Sequence, residues 1–245
     1  MQDTRTLKAI LFDIDDTLYS TTEFAHRARR NAVGAMIRMG LRVSEEEAFR
    51  ELNEVISEFS ANYDRHYHKL LRRLPPEAMA GINPAVIVAA GVVAYHETKF
   101  KELKPFPDAG AAIKDLAGKT DLTLGILTEG LEIKQAEKIV RLGIYPCLSP
   151  QAIFISDQVG ISKPNPKLYR YALTRLGHLP AEVMYVGDNP VKDIVPANMV
   201  GMVTVRSRRP GGKYRDLDSM PPADYEITSF DQLLGVLRGE FGLPV

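Results

Sequence analysis

The pattern of hydrophobic and polar positions divides the chain into three parts. Residues 9–12 (Ala-Ile-Leu-Phe) form a continuous apolar run, which predicts a buried strand. Residues 20–103 repeat apolar positions at helical spacing and contain no strand-like stretch. From residue 104 onward, apolar runs alternate with helical patterns, which predicts repeated β–α units. Strands that are apolar throughout, within such units, are typical of a parallel sheet with helices on both faces.

Local signals set the limits of the predicted elements. Ser44 followed by Glu47 is a capping box, Asn83 before Pro84 is a second helix start, and Asp108 is placed to cap a short helix. After the first strand, strands are predicted over 122–127, 152–155, 183–186, 202–205 and 225–227, with helices over 131–142, 166–176, 191–199 and 230–239.

The helical segment is predicted to be an insertion into the α/β part. We therefore predict an α/β fold, a doubly wound parallel Rossmann-like sheet with an all-helical insert. Its core comprises residues 1–19 and 104–245, and the insert comprises residues 20–103, with Pro105 and Pro107 marking the return to the core.

Composition narrows the class of protein. Lys plus Arg and Asp plus Glu both number 31 in 245 residues, so no net charge favours nucleic acid or an anionic membrane as a partner. The single cysteine, Cys147, excludes an internal disulfide framework and favours a reducing, cytoplasmic location. The N-terminus runs directly into the first strand, so no signal peptide is expected, and no apolar run is long enough to span a membrane.

One stretch of the chain is strongly basic. Residues 206–215 carry five Arg or Lys side chains, which raises the alternative of nucleic-acid binding. The zero net charge and the scarcity of aromatic residues in this stretch favour a solvated loop instead.

Three carboxylates follow the first predicted strand: Asp13, Asp15 and Asp16. Burying such a group alone is costly because the charges repel, and a divalent cation that prefers hard oxygen ligands, Mg²⁺, removes the repulsion. The alternative is a solvated acidic turn after an ordinary strand. Taken alone, these residues leave both interpretations open.

Reactive side chains also follow later strands. Ligands of open α/β sheets bind beyond the carboxyl ends of the strands, so Thr128, Asp188, Asp193 and Lys163 are expected at one edge with Asp13. This set suits a phosphate ester held beside a metal ion, with lysine offsetting phosphoryl charge and Thr128 and backbone amides donating to oxygen. One carboxylate is then free to attack phosphorus, and a second can carry the proton.

In this order, these motifs resemble the four motifs of the haloacid dehalogenase (HAD) superfamily of phosphatases. The matching residues are Asp13-Ile14-Asp15-Asp16-Thr17, Thr128, Lys163-Pro164, and Gly187-Asp188 with Asp193. The helical insert directly after the first motif resembles the type 1 cap of subfamily I. Four motifs at successive strand ends are far more specific than any one of them.

The resemblance implies a role for each catalytic residue. Asp13 is the expected nucleophile, forming an aspartyl-phosphate, and Asp15 is the expected acid for the leaving alcohol and base for water. Thr128 is expected to bind phosphoryl oxygens and Lys163 to steady Asp13. The predicted substrate-binding residues are Thr128, Glu129, Gly130 and Lys163. Position 129 is often Asn in this superfamily, so Glu129 is a departure that affects substrate contacts.

The resemblance also implies a magnesium site. Its expected ligands are Asp13, the backbone carbonyl of Asp15, and Asp188, with Asp193 close by through water. The remaining acidic residue of the first motif, Asp16, is expected to support the loop.

The predicted function is a magnesium-dependent phosphatase that hydrolyses a small phosphorylated metabolite. Residues 70–74 and 91–100 give the chain a likeness to archaeal superfamily members named glyceraldehyde 3-phosphate phosphatases. Asp15 argues against a dehalogenase, since halide needs no acid to leave. Two alternatives stay open: a phosphoryl transferase or mutase acting on sugar phosphates, and a regulatory domain resembling a response-regulator receiver.

Overall fold

A computed structural model of the chain describes residues 6–245. The first five residues lie outside the described residues. The predicted core segment includes them, and the expectation of no signal peptide also concerns them. The chain forms two compact units. An α/β unit comprises the N-terminal segment through Thr22 together with Lys104–Val245, and a helical unit comprises Glu23–Leu103.

The α/β unit is built on a six-stranded sheet in which every neighbouring pair is parallel. The strands are β1 Ala9–Phe12, β2 Thr123–Thr128, β3 Ile153–Ile155, β4 Val183–Gly187, β5 Val203–Ser207 and β6 Tyr225–Ile227. Their order is β3-β2-β1-β4-β5-β6, so the strand order reverses at β1. The predicted α/β class and parallel sheet are confirmed.

The helical unit contains α1 (Thr21–Arg38, which starts in the α/β unit), α2 (Glu45–Phe59), α3 (His66–Arg73) and α4 (Pro84–Glu102). Both predicted caps are confirmed, because Ser44 accepts from the Glu47 amide at 3.1 Å and Asn83 accepts from the Ala85 amide at 2.9 Å. Buried side chains from all four helices form its apolar core, which includes Met36, Leu52, Leu70 and Ile87. Within residues 20–103 the structure contains no strand, as predicted.

The remaining helices belong to the α/β unit. They are α5 Pro107–Lys119, α6 Glu132–Arg141, α7 Ser156–Val159, α8 Pro166–Leu176, α9 Val195–Met199 and α10 Phe230–Phe241. Leu11 of β1 joins a buried cluster with Tyr169 of α8, whereas Phe12 stacks on Phe230 of α10 with ring centroids 5.9 Å apart. Alternate strand residues face opposite sides, so α8 and α10 cover opposite faces of the sheet. Among residues 6–245, no helix combines the length and apolar character needed to cross a membrane.

The predicted cap at Asp108 is wrong. Helix α5 begins at Pro107, and the N-cap position is Phe106, which makes no side-chain capping bond. Proline favours the first helical position, so the helix starts one residue earlier than a cap at Asp108 requires. The Asp108 carboxylate instead accepts hydrogen bonds from Arg209 and from the Phe230 amide, each at 2.8 Å.

The expectation of a solvated basic loop over residues 206–215 is also wrong for Arg206, which lies in β5, and for Arg209. The side chain of Arg206 is fully buried and donates to the backbone carbonyls of Tyr214, at 2.9 Å, and Leu217. Arg209 is buried too and forms an ion pair with Asp108. These cations therefore anchor the loop to the α/β unit, because they satisfy backbone oxygens and a carboxylate rather than facing solvent.

Candidate active site

The carboxyl ends of three strands meet at one edge of the sheet. Strand β1 lies between β2 and β4, and Phe12 is in register with Ile126 of β2 and Val186 of β4. The side chains that follow these positions therefore emerge together, as expected for a parallel sheet. They include three predicted site residues: Asp13, Thr128 and Asp188.

A buried lysine lies at the centre of this edge. The Lys163 ammonium donates to Asp13 Oδ1, Asp193 Oδ1 and the Tyr185 hydroxyl, each at 2.7 Å. Burial alone would lower the pKa of Lys163, but the Asp13 and Asp193 carboxylates raise it well above its usual 10.5. Lys163 is therefore charged, and its three N–H donors are all used.

Three buried carboxylates form an acidic cluster beside Lys163. Asp13, Asp188 and Asp193 each offer an oxygen, and these oxygens lie within 4.8 Å of one another. Burial raises the pKa of Asp13 to about 7 even though Lys163 opposes the shift, and burial with the neighbouring Asp193 and Asp13 carboxylates raises that of Asp188 to about 9. Converging carboxylate oxygens suit a hard divalent cation, whose charge would offset their repulsion.

Local backbone structure after β4 explains the position of Asp193. A π-helical stretch, Pro190–Ile194, starts after Asn189, whose side chain accepts from two amides of that stretch at 3.0 Å. Asp193 Oδ2 in turn accepts from the Asn189 amide at 2.9 Å. A Cβ at Gly187 would lie 2.6 Å from Asp193 Oδ2, so only glycine leaves room for this carboxylate.

Asp15 is held by its own set of donors. Its carboxylate forms an ion pair with Lys138, with N–O distances of 2.6 and 2.7 Å, and accepts from Thr21 Oγ1 at 2.6 Å and Tyr19 OH at 2.9 Å. Burial would raise the pKa of Asp15, but the ion pair with Lys138 and the hydrogen bonds outweigh it and lower that pKa. Asp15 is therefore ionised in this arrangement.

Asp16 supports the loop between β1 and α1. Its backbone is left-handed, with φ of 53°, and its carboxylate accepts from the Thr22 amide at 2.9 Å and from Thr22 Oγ1 at 2.6 Å. These bonds satisfy donors in the first turn of α1 and fix the direction in which the chain leaves the site.

The residues at the end of β2, Thr128, Glu129 and Gly130, differ from one another in their surroundings. Thr128 is buried, and within residues 6–245 its Oγ1 has no hydrogen-bond partner. Glu129 forms an ion pair with Lys192, with a Nζ–Oε2 distance of 2.6 Å. The Gly130 amide donates to Ser156 Oγ at 2.9 Å, so this amide already has a partner. The Thr128 hydroxyl is thus a buried group without a partner among the described residues, although Thr128 is not one of the residues that line the cavity described next.

A small cavity of about 150 Å³ lies over the cluster. Its lining residues are Asp13, Asp15, Asp16, Glu129, Lys163, Asp188, Asn189, Lys192, Asp193 and Tyr214. The cavity therefore brings together five charged residues predicted for the site, with Glu129 at its rim. The five are Asp13, Asp15, Lys163, Asp188 and Asp193. Its wall is predominantly acidic, which suits a bound cation.

Sequence reasoning missed three polar residues near this cavity. Tyr185 lies inside the apolar run of β4, where an aromatic residue predicts only a core position. Lys138 lies on α6, 123 residues from its partner Asp15, and Lys192 follows β4 at a position that predicts an exposed helix face. The sequence carries no pairing signal for these contacts, because the fold brings their partners together from different segments of the chain.

Comparison with known proteins defines the class of this chain. The family model of haloacid dehalogenase-like hydrolases matches residues 7–201, so the chain belongs to that family. Members generally use a divalent metal ion, and the acidic cluster of Asp13, Asp188 and Asp193 fits one. Membership in a hydrolase family argues against the receiver-like alternative.

Individual proteins within this family are similar to the chain over nearly its whole length. The chain is 48% identical to the glyceraldehyde 3-phosphate phosphatase of Methanopyrus kandleri over 95% of this chain and 97% of that protein. It is 39% identical to the Methanocaldococcus jannaschii protein of the same name, again over 95% and 97%. The crystal structure of a HAD phosphatase from Thermococcus onnurineus matches with a TM-score of 0.63 and 25% identity, covering 96% of this chain and 99% of that one.

Proposed function

We propose that this chain is a magnesium-dependent phosphatase that hydrolyses glyceraldehyde 3-phosphate through an aspartyl-phosphate on Asp13. The observation that carries the proposal is the contact of Asp13 with the Lys163 ammonium at 2.7 Å, beside an acidic cluster and next to a second carboxylate, Asp15. The substrate follows from the relatives named above, two of which are glyceraldehyde 3-phosphate phosphatases.

Asp13 is the nucleophile in this proposal. Its carboxylate attacks phosphorus, the bond from phosphorus to the ester oxygen breaks, and the phosphoryl group is transferred to Asp13. Lys163 holds Asp13 Oδ1 in place and offsets negative charge that develops on the phosphoryl oxygens. The free Thr128 hydroxyl donates to one of those oxygens.

Asp15 carries the proton in both steps. It protonates the departing alkoxide in the first step and removes a proton from the attacking water in the second. The ion pair with Lys138 stabilises the ionised form of Asp15, so the arrangement in the structure suits the second step. For the first step, Asp15 must carry a proton, which requires that ion pair to loosen.

The cation site is assigned to Mg²⁺. Asp13 and Asp188 would supply carboxylate oxygens, with Asp193 close by through water, and the backbone carbonyl of Asp15 is the further ligand implied by the family motif. When bound, the ion supplies positive charge to the phosphoryl group. We assign the helical unit, Glu23–Leu103, as the type 1 cap inserted into the α/β core.

Phosphate release from glyceraldehyde 3-phosphate in the presence of magnesium tests the proposal. Asp13→Asn abolishes turnover because an amide cannot form the covalent intermediate, while the melting temperature shows that the variant is folded. Asp115→Asn, an exposed substitution on α5, is the matched control and retains full activity. Retention of even a few per cent of turnover by Asp13→Asn would contradict the covalent mechanism.

Removal of the metal provides a second test. A chelator abolishes phosphate release and added magnesium restores it, because the acidic cluster then regains its counter-charge. Activity that is indifferent to the chelator would remove the metal from the proposal.

A further inference from the structure

An ion pair crosses the rim of the active-site cavity. Glu129 directly follows Thr128, and its Oε2 lies 2.6 Å from Lys192 Nζ. Its other oxygen, Oε1, accepts from Ser162 Oγ at 3.2 Å. The loops after β2, α7 and β4 thus fix this carboxylate at the rim, where the side chains of Glu129 and Lys192 are 36% and 42% exposed.

The cations around the cavity are already paired. Among residues 6–245, the Lys and Arg side chains that line it are Lys163 and Lys192. Lys163 is buried against Asp13 and Asp193, and Lys192 is bound to Glu129. A ligand with one phosphate can therefore be matched by Lys163 and a metal ion. A second anionic group on that ligand would meet a fixed carboxylate and no free cation in this wall.

We infer that Glu129 is a specificity-determining residue, which selects phosphate monoesters whose remainder is uncharged and excludes those that carry a carboxylate. The inference rests on the proposed phosphatase function and names its substrate class. An aldehyde or hydroxyl next to Glu129 avoids charge repulsion, and a hydroxyl can donate to its carboxylate. A substrate carboxylate at the same place is repelled, since like charges a few ångströms apart in a partly exposed site disfavour binding.

Two substrates with the same carbon skeleton test this inference. D-Glyceraldehyde 3-phosphate and D-3-phosphoglycerate differ only in an aldehyde against a carboxylate. We expect Glu129→Gln to raise the ratio of kcat/KM for 3-phosphoglycerate to that for glyceraldehyde 3-phosphate by roughly tenfold, because repulsion is removed and Lys192 is freed. Glu132→Gln, on the first residue of α6, is the matched control and leaves the ratio unchanged.

The single variant Lys192→Met separates charge repulsion from a general loosening of the rim. It breaks the same ion pair but leaves the Glu129 carboxylate in place, so the ratio of kcat/KM for 3-phosphoglycerate to that for glyceraldehyde 3-phosphate does not rise. A Glu129→Gln ratio equal to that of the wild type, or an equal rise in Lys192→Met, overturns the inference.

Equilibrium binding keeps this test independent of turnover. Dissociation constants of both esters are measured by calorimetry in the Asp13→Asn background, with and without Glu129→Gln. The inference requires 3-phosphoglycerate to gain roughly tenfold in affinity relative to glyceraldehyde 3-phosphate when Glu129 is replaced. If the wild type hydrolyses neither ester, the proposed function fails, and this affinity ratio still decides the role of Glu129.

Discussion

Replacing Tyr185 by phenylalanine isolates the contribution of a single buried hydroxyl to the site. The ring is fully buried, so the substitution keeps the packed volume and creates no large cavity. The hydroxyl accepts from Lys163 at 2.7 Å, and its proton is shared between Asp193 Oδ1, at 3.0 Å, and the Leu127 carbonyl, at 3.1 Å. Its removal leaves one N–H of the Lys163 ammonium without an acceptor.

The expected magnitude follows from this lost partner. Leaving a buried donor unsatisfied costs about 1–3 kcal/mol, so we expect Tyr185→Phe to lower the free energy of unfolding by about 2 kcal/mol. For a chain of this size that corresponds to a melting temperature lower by about 4–8 °C. A less constrained Lys163 also steadies Asp13 less well, so we expect kcat to fall by about tenfold.

Thermal unfolding followed by circular dichroism measures the effect, in the presence of a chelator so that metal binding does not mask it. Tyr171→Phe is the matched control, because Tyr171 is exposed, and its melting temperature stays within about 1 °C of the wild type. If Tyr185→Phe had the same melting temperature as this control, the hydroxyl would not support Lys163, and the reasoning would be refuted.

Two further predictions concern the acidic cluster. Burial raises the pKa of Asp13 to about 7 and that of Asp188 to about 9, against an ordinary value of 3.8. In the metal-free protein, the protonated forms therefore contribute fully to stability below pH 3.8, and this contribution is lost as the pH rises through 7 and 9. Metal binding requires the ionised forms, so we expect the rise in melting temperature caused by magnesium to be larger at pH 9 than at pH 6, and equal rises would contradict this. We also expect Gly187→Ala to lower the free energy of unfolding by about 1–3 kcal/mol and magnesium affinity by about tenfold or more, because its Cβ would lie 2.6 Å from Asp193 Oδ2. Gly118→Ala, where nothing lies within 4 Å of the added Cβ, is its calorimetric control, and unchanged magnesium affinity in Gly187→Ala would show that Asp193 can move without loss.

The sequence predicted the elements that local chemistry defines. Ser44 and Asn83 start their helices as expected, and the apolar run at residues 9–12 is β1. Asp13, Asp188 and Lys163 were expected at one edge because parallel strands end on the same side, and the structure brings them together. These predictions succeeded because each depends on a short segment and on the handedness of β–α units.

Prediction from sequence failed where side-chain partners depend on distant segments or on the path of a loop. Lys138 binds Asp15 across 123 residues, and nothing in the helical pattern of α6 distinguishes it from an exposed lysine. Arg206 was expected in a solvated loop, yet it is buried because the carbonyls of the following loop fold back over it. Such partners are determined by the three-dimensional path of a loop, which hydrophobic periodicity does not encode.

The distance along the chain between Asp13 and Lys163 has a consequence for how this protein matures. Their contact spans 150 residues, so it cannot form before the chain is synthesised through Lys163, and the acidic cluster also needs Asp188 and Asp193. Helices can form earlier from local interactions, but this cluster cannot. We therefore expect metal capture to be a late event in biogenesis, because a polypeptide that ends before Asp193 lacks part of the acidic cluster.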